Sequence, residues 1–148
     1  MPLKLWRSFG FLLLAGWVMA EIPHPPPLIL TSQENGTEPQ DTFSCSGTIY
    51  GYMTLPQAQS GKHTIEGIWV GPQGTVVQHS RDEINFPPPG RRTAAVWLRF
   101  TKEGRIWNPL SVQNSSDQDR LLYDGPWKIE VRWDDRTFAR STFKIHCQ

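Results

Sequence analysis

The sequence predicts an all-β protein, built as a single antiparallel β-sandwich of six to eight strands. From Phe43 onward apolar and polar residues alternate with a period of two. Turn-forming clusters such as Pro87-Pro88-Pro89-Gly90 interrupt the alternation at intervals, and no stretch beyond the first twenty residues shows a helical period. A lone open sheet of such strands could not bury its apolar side, so two facing layers are expected.

The chain opens with MPLKLWRSFGFLLLAGWVMA, in which Lys4 and Arg7 precede an apolar stretch and Val18-Met19-Ala20 forms a small-residue site. This is the layout of a cleaved secretory leader, and its apolar run is shorter than the roughly 20 residues needed to span a bilayer. Residues 1–20 are therefore expected to be a signal peptide, leaving a mature chain from Glu21 with no transmembrane segment, exported to the periplasm or secreted. Loss of Lys4 and Arg7 leaves 13 cationic residues against 14 acidic ones, a formal charge of −1. Such a balance offers no electrostatic footprint for nucleic acid or an anionic membrane, and excludes both as main partners.

Residues 21–41 (EIPHPPPLILTSQENGTEPQD) are rich in proline and polar residues. Proline withholds backbone donors and favours extended conformations, so this segment reads as an arm or linker. The island Leu28-Ile29-Leu30 within it suits a first edge strand. The sandwich domain is expected over 42–148.

In the next run, Ile49, Gly51, Met53 and Leu55 share one face and Tyr50, Tyr52 and Thr54 the other. A second run places Ile65 and Trp69 opposite Glu66, Ile68 and Val70, and Gly71-Pro72-Gln73-Gly74 turns it back into TVVQHS. If Val70 pairs with Thr75, Glu66 falls opposite His79 and His63 opposite Asp82. Further on, Ala94, Val96, Leu98 and Phe100 face one way, leaving Trp97 and Arg99 on the reverse. The last two runs align Trp127, Ile129, Val131 and Trp133 with Ser141, Phe143, Ile145 and Cys147. Keeping both odd-numbered sets on one face calls for an odd loop, either Asp134 to Arg136 or Asp134 to Phe138.

Cys45 and Cys147 are the only cysteines. An even number in an exported chain predicts that they pair. Topology supports the bond, because strands that alternate up and down bring the residue before the second strand to the end of the last. The alternative, a reactive thiol pair, lacks a CxxC spacing or neighbouring cations.

The segment DGPWKIEVRWDDRTFARSTFKIHC resembles the final hairpin of immunoglobulin-like or fibronectin type III-like domains, and Trp69 resembles their core tryptophan. Within Asp124 to Ile129, Trp127 stands where such domains carry the corner tyrosine and Ile129 where antibody-type domains carry a cysteine. The resemblance spans Thr42 to Cys147 and implies architecture alone. The central inter-sheet disulfide of antibody-type domains is missing, and the fold serves too many roles to indicate one.

Motifs that carry chemistry are sparse. His24, His63, His79 and His146 form no HxH, HExxH or Cys/His ligand spacing, so no metal or other cofactor is expected. There is no GxSxG and no cysteine left to act as a nucleophile. Asp82-Glu83 and Asp134-Asp135 are nominal acid pairs for a hydrolase, but both sit in turn-like stretches where Asp serves backbone hydrogen bonding. Catalytic residues are accordingly assigned to none. Asn35-Gly36-Thr37 and Asn114-Ser115-Ser116 match the N-glycosylation acceptor pattern.

Aromatic residues offer a lead instead. Trp69, Trp127 and Trp133 are in phase with inward residues, whereas Trp97, Tyr50 and Tyr52 point outward, where rings anchor protein partners or stack on sugars. Ile68, Val70 and Val77 form a second outward set, either an interface or a patch covered by Leu28 to Leu30. The expected function is a non-catalytic extracytoplasmic binding or assembly module that recognises another protein. Carbohydrate binding through Trp97, Tyr50 and Tyr52 is the alternative, and an uncharacterised hydrolase the third reading.

Overall fold

A computed structural model describes residues 27–101, 106 and 122–148. The expected leader, the first residues of the arm with His24, and Asn114 lie outside them. The described chain forms six strands: β1 (Leu28–Thr31), β2 (Thr42–Ser44), β3 (Gly47–Val70), β4 (Val76–Phe100), β5 (Gly125–Trp133) and β6 (Arg136–His146).

Strands β3 and β4, 24 and 25 residues long, form one antiparallel ladder around the turn at 71–75. They replace the four shorter strands expected over these stretches. The ladder loses register between Thr54 and Gln59 and again between Gln59 and Gly61, opposite the proline cluster of β4. Prolines cannot donate to a ladder, so this is where the ribbon is weakest. Gly90 adopts φ +94° there, and a Cβ at position 90 would collide with the Gln59 carbonyl group. Only glycine permits both the backbone angle and the approach.

At this corner the ribbon folds over. Residues 47–54 pair with β1 and with 93–100, while 61–70 pair with β5 and with 76–86. Beyond β5 the second layer continues through β6 to β2, which runs parallel to β6, the one parallel pair among the described residues. The layers meet face to face: a Cβ built on Gly67 of one would lie 3.1 Å from the Val96 Cβ of the other.

The period-two phase decides what fills the space between. Ile49, Met53, Leu55, Ile65, Val96 and Leu98 are buried, as are Ile129, Val131, Phe143 and Ile145 around the fully buried Trp69 and Trp127. Fully burying one such side chain contributes about 1.5–3 kcal/mol. The Trp127 indole N–H donates to the Tyr123 carbonyl at 2.8 Å, which satisfies its one polar group inside the core. Leu28 and Leu30 join the same core from β1, so the apolar island is an edge strand of the first layer.

The final hairpin is tighter than expected. Asp134 and Asp135, both at positive φ (48° and 65°), make a two-residue turn with Trp133 opposite Arg136. An even loop would put the two inward sets out of phase. A bulge between Val131 and Arg132 restores them, so that Val131 faces Ala139 and Trp127 faces Phe143. Cys45 and Cys147 are disulfide-bonded across 102 residues, with Cα atoms 5.0 Å apart. The bond closes the end of the β2–β6 pair, where the Cys45 N–H also donates to the His146 carbonyl at 3.3 Å, just before the chain enters β3.

Candidate functional site

The outer face of the first layer carries the three aromatics expected to point outward. Tyr50 of β3 is the cross-strand partner of Trp97 on β4, and Tyr52 that of Ala95. Trp97 is 47% exposed, because its phase turns it away from buried Val96 and Leu98. Tyr50 and Tyr52 are half-buried, with rings stacked at 5.9 Å and planes 14° apart. The Tyr52 hydroxyl accepts a 2.6 Å hydrogen bond from the backbone N–H of exposed Asn35, so the loop between β1 and β2 leans on this end of the strip.

Beside Tyr52 the surface sinks into a shallow groove of about 250 Å³ lined by Tyr52, Ile84, Phe86, Arg91 and residues 93–95. Phe86 is buried, and the exposed Arg91 guanidinium lies 5.9 Å from its ring centroid. A cation over an aromatic face is held by the ring quadrupole while its edge N–H donors stay open.

The expected aliphatic patch does not form as a unit. Val70 pairs with Val76 rather than Thr75, because a register shift follows Trp69. The shift turns Val77 against the core and leaves Val76 as the exposed residue. Ile68 and Val70 remain half-buried on the outer face of the second layer. β1 lies on the first layer and so does not cover them.

The same shift alters the expected polar pairs. Glu66 stands opposite Arg81, yet it still reaches His79 diagonally at 2.8 Å. Buried Glu66 also bonds Arg81, which bonds Asp135 at 2.7 Å. Next to them Glu130 takes Arg132 at 2.7 Å and Arg140 at 2.8 Å. The Arg132 guanidinium foremost, then that of Arg140, holds the Glu130 carboxyl down at about 2. Each of these three arginines is thus paired with a carboxylate, Arg132 and Arg140 sharing that of Glu130.

His63 pairs with Asp134 rather than Asp82. Its Nδ1 lies 2.8 Å from Asp134 Oδ2 and its Nε2 3.0 Å from the Ser60 carbonyl oxygen. Its ring stacks on Trp133 at 4.8 Å, and Phe86 stacks on the same Trp133 at 6.2 Å. Trp133, expected in the core, is half-buried in this cluster at the sandwich end. Sequence reasoning missed the cluster because its members are 71 residues apart and the hairpin turn sets their meeting.

Asp134 and Asp135 are occupied as turn and ion-pair residues, and among the described residues no group of three or more His, Cys, Asp or Glu is placed to hold a metal ion. No described helix is long and apolar enough to cross a membrane.

The strand pairing makes this an all-β protein: one hydrogen-bonded sheet of six strands among the described residues, folded over at the corner of the β3–β4 ribbon. Among solved structures the chain is similar to an immunoglobulin-like protein from Pseudomonas aeruginosa, at 16% identity over 87% of this chain and 99% of that one, with a TM-score of 0.45. It is similar also to part of an alkylpurine DNA glycosylase from Pseudomonas fluorescens, at 10% identity over 80% of this chain and 29% of that one (TM-score 0.45). A β-glucosidase from Listeria innocua matches at 9% identity over 80% of this chain and 15% of its own (TM-score 0.41). No protein-family model matches the chain, and no curated protein sequence matches it.

Proposed function

We propose that this chain is a non-catalytic binding or assembly module, acting outside the cytoplasm, that recognises a protein partner through the face formed by Trp97, Tyr50 and Tyr52. The observation that carries the reading is the exposure of Trp97 beside Tyr50 on an otherwise regular sheet face. A large exposed ring next to half-buried ones is the composition of a binding anchor. The leader layout and the disulfide support export.

A platform for a flat sugar chain needs rings laid side by side in one plane. Tyr50 and Tyr52 instead stack on one another, which favours protein over carbohydrate. The test is affinity capture from the native envelope or medium with the mature protein and its Trp97→Ala variant, both checked for folding by thermal melting. A protein retained by the parent and lost from the folded variant supports the reading. Equal retention by both refutes it, and an exported chain that still carries Met1 to Ala20 by intact mass refutes cleavage after Ala20.

A further inference from the structure

We propose that this face takes an acidic segment of its protein partner, with Arg91 pairing a partner carboxylate in the groove while Trp97 and Tyr50 cover the neighbouring apolar side chains. The inference rests on the reading of the face as a binding surface and adds the chemistry of what it binds.

Charge placement carries the argument. The outer faces of the two layers differ in kind. On the second layer Arg81, Arg132 and Arg140 are each bonded to a carboxylate of this chain, supplied by Glu66, Asp135 or Glu130. At the corner, where residues 93–95 of the first layer meet Ile84 and Phe86 of the second, Arg91 is the one charged residue lining the groove, and among the described residues it forms no ion pair. The outward positions that continue from the groove are Thr93, Ala95, Trp97 and Arg99 on β4, and Thr48, Tyr50, Tyr52 and Thr54 on β3. None of them is acidic. The groove therefore offers the Arg91 charge beside aromatic surface, with no acid at those positions.

The groove geometry matches that charge. Phe86 lies under the guanidinium, and the small side chains of residues 93–95 leave room between Tyr52 and Arg91. A guanidinium held over a ring keeps its planar fork of donors for a carboxylate, which it can bind with two parallel hydrogen bonds. Complementary charge also suppresses wrong partners, because an approaching cation meets Arg91 without compensation.

The test uses the mature chain and three probes: a labelled peptide in which Glu alternates with Leu and Phe, the same peptide with Gln for every Glu, and polygalacturonate. The acidic peptide is expected to bind the parent at least about tenfold more tightly than the Gln peptide, the scale of one charge-assisted pair. Arg91→Gln is expected to remove that difference while leaving the Gln peptide unaffected, Arg91→Lys to keep part of it, and Trp97→Ala to weaken both peptides. Arg91 is exposed, so melting should confirm that its variants fold. Equal binding of the two peptides, lost in Trp97→Ala but unchanged in Arg91→Gln, overturns the acidic partner and leaves the binding face standing. Binding of polygalacturonate alone overturns the protein partner. Peptide binding that survives Trp97→Ala, or no binding by any probe, overturns both readings.

Discussion

Val96 of β4 stands directly over Gly67 of β3, so close that a Cβ at position 67 would sit 3.1 Å from the Val96 Cβ and 3.2 Å from the Trp69 indole nitrogen. Both neighbours are buried and fixed, one by the facing layer and the other by the core. Gly67→Ala is therefore expected to force the layers apart locally and to lower stability by about 1–3 kcal/mol, the usual cost of overpacking. Denaturant unfolding of the variant measures it. An unchanged midpoint would mean that the layers do not meet here.

The disulfide locks the ends of the neighbouring strands β2 and β6. Cross-linking residues 102 apart removes chain entropy from the unfolded state worth roughly 4–5 kcal/mol in the loop-closure account, of which engineered cases often realise less. Cys147→Ser is expected to lower the unfolding free energy by about 2–5 kcal/mol. Two titratable thiols in the folded, oxidatively prepared parent would remove the basis for this expectation.

Phase was the legible part of this sequence. Alternation alone separates buried Trp69 and Trp127 from exposed Trp97, and it places Tyr50 and Tyr52 outward, because side-chain direction in a strand depends only on parity. Register was not legible. One extra residue at Val77 turns that side chain inward, and a bulge in the last hairpin lets a two-residue turn do what an odd loop was expected to do. Bulges are set by packing in three dimensions and leave no mark in a period-two pattern. The His63 and Trp133 cluster was hidden for the same reason, since the turn brings Asp134 to His63. The groove at Arg91 needs the folded corner, where segments far apart in sequence converge.

Protonation of His63 should stabilise the fold. Both ring nitrogens face oxygen acceptors, Asp134 Oδ2 and the Ser60 carbonyl, and only the imidazolium has two N–H groups to give them. The Asp134 hydrogen bond foremost raises the His63 pKa above its ordinary 6.5, outweighing burial. A raised folded-state pKa means that the contribution is fully present below about pH 6.5 and is lost as pH rises through the folded value. For Asp134 burial acts upward but is outweighed by the Thr64 N–H and by His63, so its pKa is lowered below 3.8. Its contribution is present above 3.8 and is lost on acidification through the lower folded value. Unfolding free energy measured between pH 6 and 9 should fall more steeply for the parent than for His63→Gln. An NMR titration that places the folded His63 at or below 6.5 would sink the argument.

Paired tryptophan truncations separate scaffold from surface. Trp127 is fully buried, stacks on Phe143 at 6.0 Å and donates its indole N–H to the Tyr123 carbonyl. Removing its ring leaves a cavity and deletes that hydrogen bond, so Trp127→Ala should cost about 3–5 kcal/mol of stability. Trp97 is nearly half exposed and its backbone pairing with Tyr50 survives truncation. Trp97→Ala should therefore change the unfolding free energy by less than about 1 kcal/mol, closer to the scale of surface substitutions. For an aromatic anchor the same change should weaken partner binding by more than about 2 kcal/mol. Denaturant unfolding and binding measured on the same two variants give opposite orders if the assignment is right: Trp127→Ala is the less stable, while folded Trp97→Ala is the weaker binder. A Trp97→Ala protein that unfolds as easily as Trp127→Ala, yet binds normally when folded, would return Trp97 to the core and leave the Ile68 and Val70 face as the surface to probe.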